Sequence, residues 1–305
     1  MMNGAIVRKR KSYRQTWQLN LMLLPGMILI ILFSYVPLQG LLIAFKDFIP
    51  SKGIWGSEWV GLSIFEYMFR MPDTGRIFFN TLYIALLKII VNFPIPIIVA
   101  LMLNEVRNAY FKRTVQTLIY LPYFISWVIL SGIVIDLFSQ TGIVNRFIGF
   151  FGVEPVFFLG SNKHFVSMLV GTDVWKNFGY GTVIYLAAIT GVDESLYESA
   201  VLDGANRWKQ TLHITLPGIA PIVFLMLILS LGNVLNAGFD QIFNLYNPLV
   251  YKTADIIDTF VYRIALVDAN YSLGTAVGLL KSVVTFILIA ASYKLANKFS
   301  DYTLF

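Results

Sequence analysis

Six runs of mostly apolar residues partition the chain, at 21–45, 78–103, 114–138, 165–189, 218–240 and 272–296, with polar segments between them. Each run is about 23 to 26 residues long, against the roughly 20 that a helix needs to cross a hydrocarbon layer. Backbone N–H and C=O groups find no partner in lipid, so such runs must close their hydrogen bonds internally, as helices. The pattern predicts an all-α, polytopic membrane protein with six transmembrane helices. One polar interruption differs from the rest: residues 198–221 read ESAVLDGANRWKQTLHITLPGIAP. Asp193 or Ser195 can cap a first short helix over roughly 194–203, with Glu194 and Glu198 near its positive end. Gly204 supplies the break, because positive φ costs glycine little. A second helix from about 205 to 213 carries Arg207, Trp208 and Lys209, and Pro217 is expected to stop it before the fifth span. The result is a compact two-helix knob with acidic, aromatic and basic side chains, suited to docking into a groove of another protein.

Composition agrees with a membrane setting. Of 305 residues, 57% are hydrophobic and 13% charged, with a mean hydropathy of +0.70, whereas soluble domains carry about 25% charged residues. A water-soluble globule is thereby excluded. The chain has no cysteine, which excludes disulfides and thiolate metal sites. His164 and His213 stand alone and read as interfacial polar residues, so no metal is expected.

Net charge is +6, but the basic residues lie mostly at the ends of the apolar runs, and no nucleic-acid-binding pattern accompanies them. Their distribution instead sets orientation. Arg8, Lys9, Arg10, Lys11 and Arg14 precede the first span; Arg107, Lys112 and Arg113 follow the second; Arg207, Lys209, Lys294 and Lys298 complete that side. These outnumber the Lys and Arg of the three opposite loops, which places both termini and loop 191–217 in the cytoplasm. The first run is too long for a signal peptide and has no small-residue cleavage site after it. The outer loops leave no room for a separate extracellular domain, and 142–160, with its interspersed glycines, predicts a short interfacial helix.

The knob also resembles a known signature. Importer permeases of the ATP-binding cassette class carry Glu-Ala-Ala, three residues, Gly, nine residues, then Ile-x-Leu-Pro. Here Glu198-Ser199-Ala200, Gly204 and Ile214-Thr215-Leu216-Pro217 keep every gap, with Ser199 in place of the first alanine; Asp203, Ala205 and Pro221 add to the match. Beyond the motif, LMLLPGMILIILFSYVPLQGLLIAFKDF, YLPYFISWVI and GIVNRFIGFFGVEP resemble type I importers for carbohydrates, in the branch that handles oligosaccharides and complex glycans.

The resemblance implies a basic N-terminal segment (1–20), a first helix and outer loop (21–74), a permease core (75–297) and a C-terminal tail (298–305). It implies a bacterial cell-membrane protein that pairs with a second permease, as a heterodimer. Two ATPase subunits would dock on the knob, and an extracytoplasmic solute-binding protein would deliver the sugar. Glu198, Ser199, Ala200, Asp203, Gly204, Ala205, Ile214, Leu216 and Pro217 would form the coupling element, with Glu198 the charge partner of the ATPase. No Gly-x-x-x-x-Gly-Lys-Ser/Thr loop is present, so ATP and Mg would be used by the partner ATPases, with no cofactor and no enzymatic site on this chain.

Polar residues inside spans face a cavity or another helix. In the fifth run Asn233, Asn236 and Asp240 recur at a spacing that puts them on one helical face; in the fourth stand Trp175, Lys176, Asn177 and Tyr180. Amides and carboxylates suit sugar hydroxyls, and Trp and Tyr offer faces that stack on sugar rings. Asn233 and Asn236 fit helix–helix contacts equally well, and Asp240 falls near the outer interface. Lys88, Lys176 and Lys281 can snorkel or pair with a carboxylate such as Asp136 or Asp173. An importer for another solute would carry the same motif. A secondary transporter would predict broken helices or repeats, which the sequence does not plainly display, and no catalytic grouping such as His-Glu-x-x-His appears.

Overall fold

A computed structural model describes residues 13–232 and 234–299. Apart from a small antiparallel ribbon pairing Lys46–Asp47 with Glu58–Trp59, the regular elements among them are helices. Five stretches are long and apolar enough to cross a membrane: Asn20–Phe45, Thr74–Glu105, Trp127–Phe150, Arg207–Gly232 and Tyr271–Ala291. The predicted fourth span is a single helix, Phe165–Thr190, of 26 residues. At 1.5 Å per residue it is about 39 Å long, enough to cross as well.

The first span runs from the helix Tyr13–Ile30 through a π turn, Ile31–Tyr35, into a 3₁₀ segment, Val36–Phe45. Residues 20–39 are exposed throughout, and this span joins the rest of the chain mainly at its far end, where Ala44 is buried. Ser272 fastens that end, donating from Oγ to the Lys46 carbonyl (2.7 Å) and accepting from the Phe48 N–H (2.9 Å).

Three apolar clusters hold the remaining helices. One, containing Ile84, Leu130, Phe165, Leu169 and Ile242, joins the second, third and fourth spans to the segment after the fifth. A second, with Met68, Ile77, Phe260 and Leu273, ties the outer helix Ser63–Arg70 to the second and sixth spans. The third, Ala100, Tyr185, Ile189 and Ile219, sits beside loop 191–217.

Two predicted spans are not continuous helices. The third, expected over 114–138, divides into Ala109–Tyr120 and Trp127–Phe138, separated by a 3₁₀ turn, Leu121–Phe124. Pro122 lacks an N–H, and Ser126, in extended conformation, caps the new helix by accepting from Ile129 N–H (3.4 Å). The fifth, expected over 218–240, ends as a helix at Gly232; a shorter one, Phe239–Leu245, begins after Gly238 at φ +90°. Broken helices, which the sequence did not plainly display, are therefore part of this fold. The start of the fifth span also differs from expectation. Pro217 does not stop the preceding helix: Arg207–Gln210, a π turn at Thr211–Thr215 and Leu216–Gly232 form one helical stretch. The π turn closes with Leu216 N–H on the Thr211 carbonyl, which lets the helix pass a residue with no N–H to give.

The 142–160 loop contains the expected short helix, Ile143–Phe150. Buried Asn145 organises it, donating to the carbonyls of Ser139 (2.8 Å) and Val156 (2.9 Å) and accepting from Val156 N–H (2.8 Å).

Candidate functional site

Loop 191–217 is built as the motif suggests, with its details set by capping. Asp193 caps the helix Glu194–Leu202 by accepting from Ser195 N–H (3.0 Å). That bond holds the Asp193 carboxyl below the usual carboxylate range. At the other end, Ala205 N–H reaches the Ala200 carbonyl (2.8 Å) and Gly204 N–H the Val201 carbonyl (3.0 Å). This is the Schellman closure, and it requires the left-handed φ of +74° that Gly204 adopts. Asp203 is the C-cap residue between them. The spacing from the Glu-Ser-Ala triplet to glycine is thus the length of one capped helix.

A second set of contacts fixes the knob to the spans. Asn206 caps the next helix through Lys209 N–H (2.9 Å), and Gln210 donates to the Ala205 carbonyl (3.0 Å). Tyr197 and Thr215 share a hydroxyl–hydroxyl bond of 2.9 Å, and Arg207 pairs with Glu105 at the end of the second span (3.3 Å). Leu216 packs against the cluster beside the loop. Ser199 bonds back to the Ser195 carbonyl (2.9 Å); Ile214 is half-buried and Pro217 exposed. Glu198, Val201, Leu202 and Trp208 remain exposed, Leu202 at 89% and Trp208 at 73%. A polar groove of about 500 Å³ lies between this knob and the second span, with Glu198 and Arg207 in its wall.

Between the spans lies a cavity of about 540 Å³, whose wall includes Asn92, Tyr123, Asn177, Tyr180, Ser230 and Asn236. Tyr123 and Tyr180 stack face to face, centroids 4.3 Å apart and planes within 6°. Two buried lysines create this wall by collecting the carbonyls that the broken helices release. Lys176, in the fourth span, donates to Pro122 O (3.2 Å), Tyr123 O (2.9 Å) and Ile125 O. Lys88, in the second span, donates to Ala237 O (2.8 Å) and to Gln241 Oε1, and pairs with Asp173 (3.2 Å). An ammonium has three protons, and both lysines have all three placed. Gln241 in turn gives both amide hydrogens, to Leu169 O and Thr172 Oγ1 (2.8 Å each). Asp173 uses its second oxygen to accept from Asn92 Nδ2 (2.8 Å).

The sequence-derived candidates fare unevenly. Asn177, Tyr180 and Asn236 line the cavity together. Trp175 is exposed at 41% and is not in the wall. Asn233 lies outside the described residues. The expected single face for Asn233, Asn236 and Asp240 does not exist, because the helix ends at Gly232 and restarts at Phe239. Exposed Asp240 belongs to the second piece, while Asn236 sits in the irregular segment and accepts from Gly238 N–H (3.3 Å). Among the lysines, Lys88 takes Asp173, Lys281 takes Asp258 (2.5 Å) and Lys176 takes carbonyls; Asp136 is exposed and pairs with none of them. Asn92, Tyr123 and Gln241 were not legible as site residues. Pro122 and Gly238, two helix breakers inside apolar runs, were the available signals.

Residues 92–301 match the family described as the binding-protein-dependent transport system inner membrane component. Protein LplB of Bacillus subtilis (strain 168) is 44% identical over 293 residues, spanning 96% of this chain and 92% of that protein. The polygalacturonan/rhamnogalacturonan transport system permease protein YteP of the same organism is 43% identical over 306 residues, spanning 98% and 95%. A solved bacterial ABC transporter involved in the import of the acidic polysaccharide alginate contains a chain that superposes with a TM-score of 0.87 at 37% identity, covering 94% of this chain and 98% of that one. A bacterial alginate ABC transporter in complex with an alginate pentasaccharide-bound periplasmic protein matches with the same score at 36% identity, covering 95% and 98%. The breaks in the third and fifth spans thus occur in an ABC permease and give no support to an ion-driven carrier. The chain belongs to the inner-membrane component family of binding-protein-dependent transport systems, as a multi-pass permease subunit.

Proposed function

We propose that this permease forms, together with a second permease subunit, the path for a sugar or oligosaccharide across a bacterial cell membrane. An extracytoplasmic binding protein delivers the cargo. Two separate ATPase subunits, which hold ATP and Mg, supply the motion through loop 191–217, and this chain hydrolyses nothing itself. The carbohydrate assignment draws on the cavity: a stacked tyrosine pair beside Asn92, Asn177, Ser230 and Asn236 offers flat apolar faces next to directional hydrogen-bonding groups, as a pyranose requires. The names of YteP and of the alginate importer point the same way.

One observation carries the coupling role. The exposed knob that begins at Asp193 is continuous, from Arg207 to Gly232, with the helix that reaches the cavity. Glu198 is the residue of the knob assigned to meet a basic group on the ATPase, with Ser199, Ala200, Asp203, Gly204 and Ala205 shaping the turn beneath it. Half-buried Ile214 and Leu216 anchor it, and Pro217 follows them into the fifth span.

The test is Glu198→Lys in the reconstituted complex with both permeases, the ATPases and the binding protein. Loss of binding-protein-stimulated ATP hydrolysis and of uptake, with normal membrane insertion, is expected. Undiminished uptake would refute the docking role.

A further inference from the structure

A second cavity, of about 720 Å³, opens between the end of the fifth span and the sixth. Asn236 stands in its wall and in that of the cavity already described, so the two adjoin at the unwound peptide after Gly232. Its volume falls in the range of about 300–1,000 Å³ usual for small-molecule sites. Asp258 and Lys281 also line it and pair at 2.5 Å, their side chains 25% and 24% exposed. Lys281 lies about 15 Å along the helix Tyr271–Phe299. An ion pair open to its surroundings at that depth faces an aqueous cavity or protein, not lipid.

The pair keeps unused bonding capacity. Lys281 gives one of its three protons to Asp258 Oδ1. Among the described residues, Asp258 Oδ2 accepts no hydrogen bond and is not a buried atom without a partner, so water reaches it. Exposed Asn236 spends its Oδ1 on Gly238 N–H, and its amide protons go to none of those residues. Phe239 and Tyr262 stand in the same wall, ring centroids 5.9 Å apart.

We infer that this cavity is a second saccharide subsite, in which Lys281 donates to, and Asp258 accepts from, two neighbouring hydroxyls of one sugar ring. This rests on the carbohydrate path proposed above and extends it to the sixth span. An ammonium with protons left, beside a carboxylate oxygen with lone pairs left, matches a diol in which one oxygen accepts and the other hydroxyl donates. Phe239 and Tyr262 supply faces for the apolar side of the ring. A cargo carboxylate would have to share Lys281 with Asp258, like charge beside like charge. The subsite therefore reads hydroxyls, even on a glycan that carries acidic groups elsewhere.

The chain has no cysteine, so Thr285→Cys puts one thiol of this subunit in the new wall and Asn177→Cys one in the first cavity. The full complex, with a non-hydrolysable ATP analogue, is treated with a charged, water-soluble thiol reagent. The binding protein is added empty or loaded with a neutral or a uronate pentasaccharide. Thr285→Cys is expected to react without cargo and to be slowed about fivefold or more by at least one loaded form, but not by the empty one. In the background Asp258→Asn with Lys281→Gln, which strands no charge, about tenfold more loaded binding protein should be needed for the same slowing. Analogues lacking either of two adjacent hydroxyls should behave in the same way in the parent, while slowing at Asn177→Cys persists. A thiol at 285 that never reacts would show the cavity filled by the second permease and overturn the subsite. Equal slowing by the empty binding protein, or slowing that neither the pair variant nor any deoxy analogue changes, would overturn it too. Slowing at Asn177→Cys alone would remove the subsite and leave the carbohydrate path standing. Slowing at neither position would refute that path, and the subsite with it.

Discussion

Lys88 Nζ stands 3.2 Å from Asp173 Oδ1, with side chains 8% and 13% exposed, and so joins the second span to the fourth inside the membrane-spanning body. The same ammonium holds the carbonyl of Ala237, released where the fifth span breaks. A buried pair of this kind adds little net stability over an apolar substitute, but losing one partner leaves a bare charge with little of its surface open to water.

Lys88→Met is therefore expected to destabilise the protein by about 3–5 kcal/mol, read as a lowered unfolding midpoint in detergent. Combining it with Asp173→Asn removes both charges and should recover most of the loss. A double variant as unstable as the single one would show that the stranded carboxylate is not the cause.

Gly204 has φ +74° at the position that closes the helix Glu194–Leu202. A β-branched residue in that conformation costs roughly 1–2 kcal/mol, while asparagine tolerates it better. Gly204→Val should leave the chain in the membrane but reduce stimulated ATP hydrolysis in the reconstituted complex, and Gly204→Asn should fall between it and the parent. Parent-like hydrolysis in Gly204→Val would show that the turn's shape is not used.

Asp193 gives a pH dependence with a definite sign. Its folded-state pKa is lowered by the bond from Ser195 N–H. The cap is thus fully present above the ordinary carboxylate pKa of about 3.9 and is lost as pH falls through the lowered value. Amide exchange at the start of the helix Glu194–Leu202 should accelerate in acid for the parent, show no such step in Asp193→Asn, and be fast at every pH in Asp193→Ala. An identical acid step in Asp193→Asn would assign the effect to another group.

Loop 191–217 was readable because its structure is local. Asp193, Gly204 and the spacing between them act within a dozen residues, and the capping bonds form where the motif puts them. The spans were readable as apolar blocks, but their breaks were not, because a hydropathy average runs straight across Pro122 or Gly238. What makes the breaks tolerable is distant in sequence: Lys176 reaches carbonyls more than 50 positions earlier, and Lys88 reaches Ala237 across 149. The helical-face placement of Asn236 and Asp240 failed for that reason, since its premise was an uninterrupted helix. Asn92 is a lone asparagine in an apolar run and carries no signal until Asp173 is placed beside it. Pro217 misled because proline's usual effect assumes a regular α-helix on its N-terminal side, and here a π turn precedes it.

That π turn has a mechanical corollary. The stretch Arg207–Gly232 has 26 residues and carries on through the π turn and Pro221 as one helical rod about 39 Å long. Exposed Trp208 near one end and Ser230 of the cavity wall near the other therefore belong to the same rod, and Ala237, beyond its end, is held by the Lys88 ammonium. A rotation of this rod about its own axis would carry Ser230, and with it one side of the cavity, along.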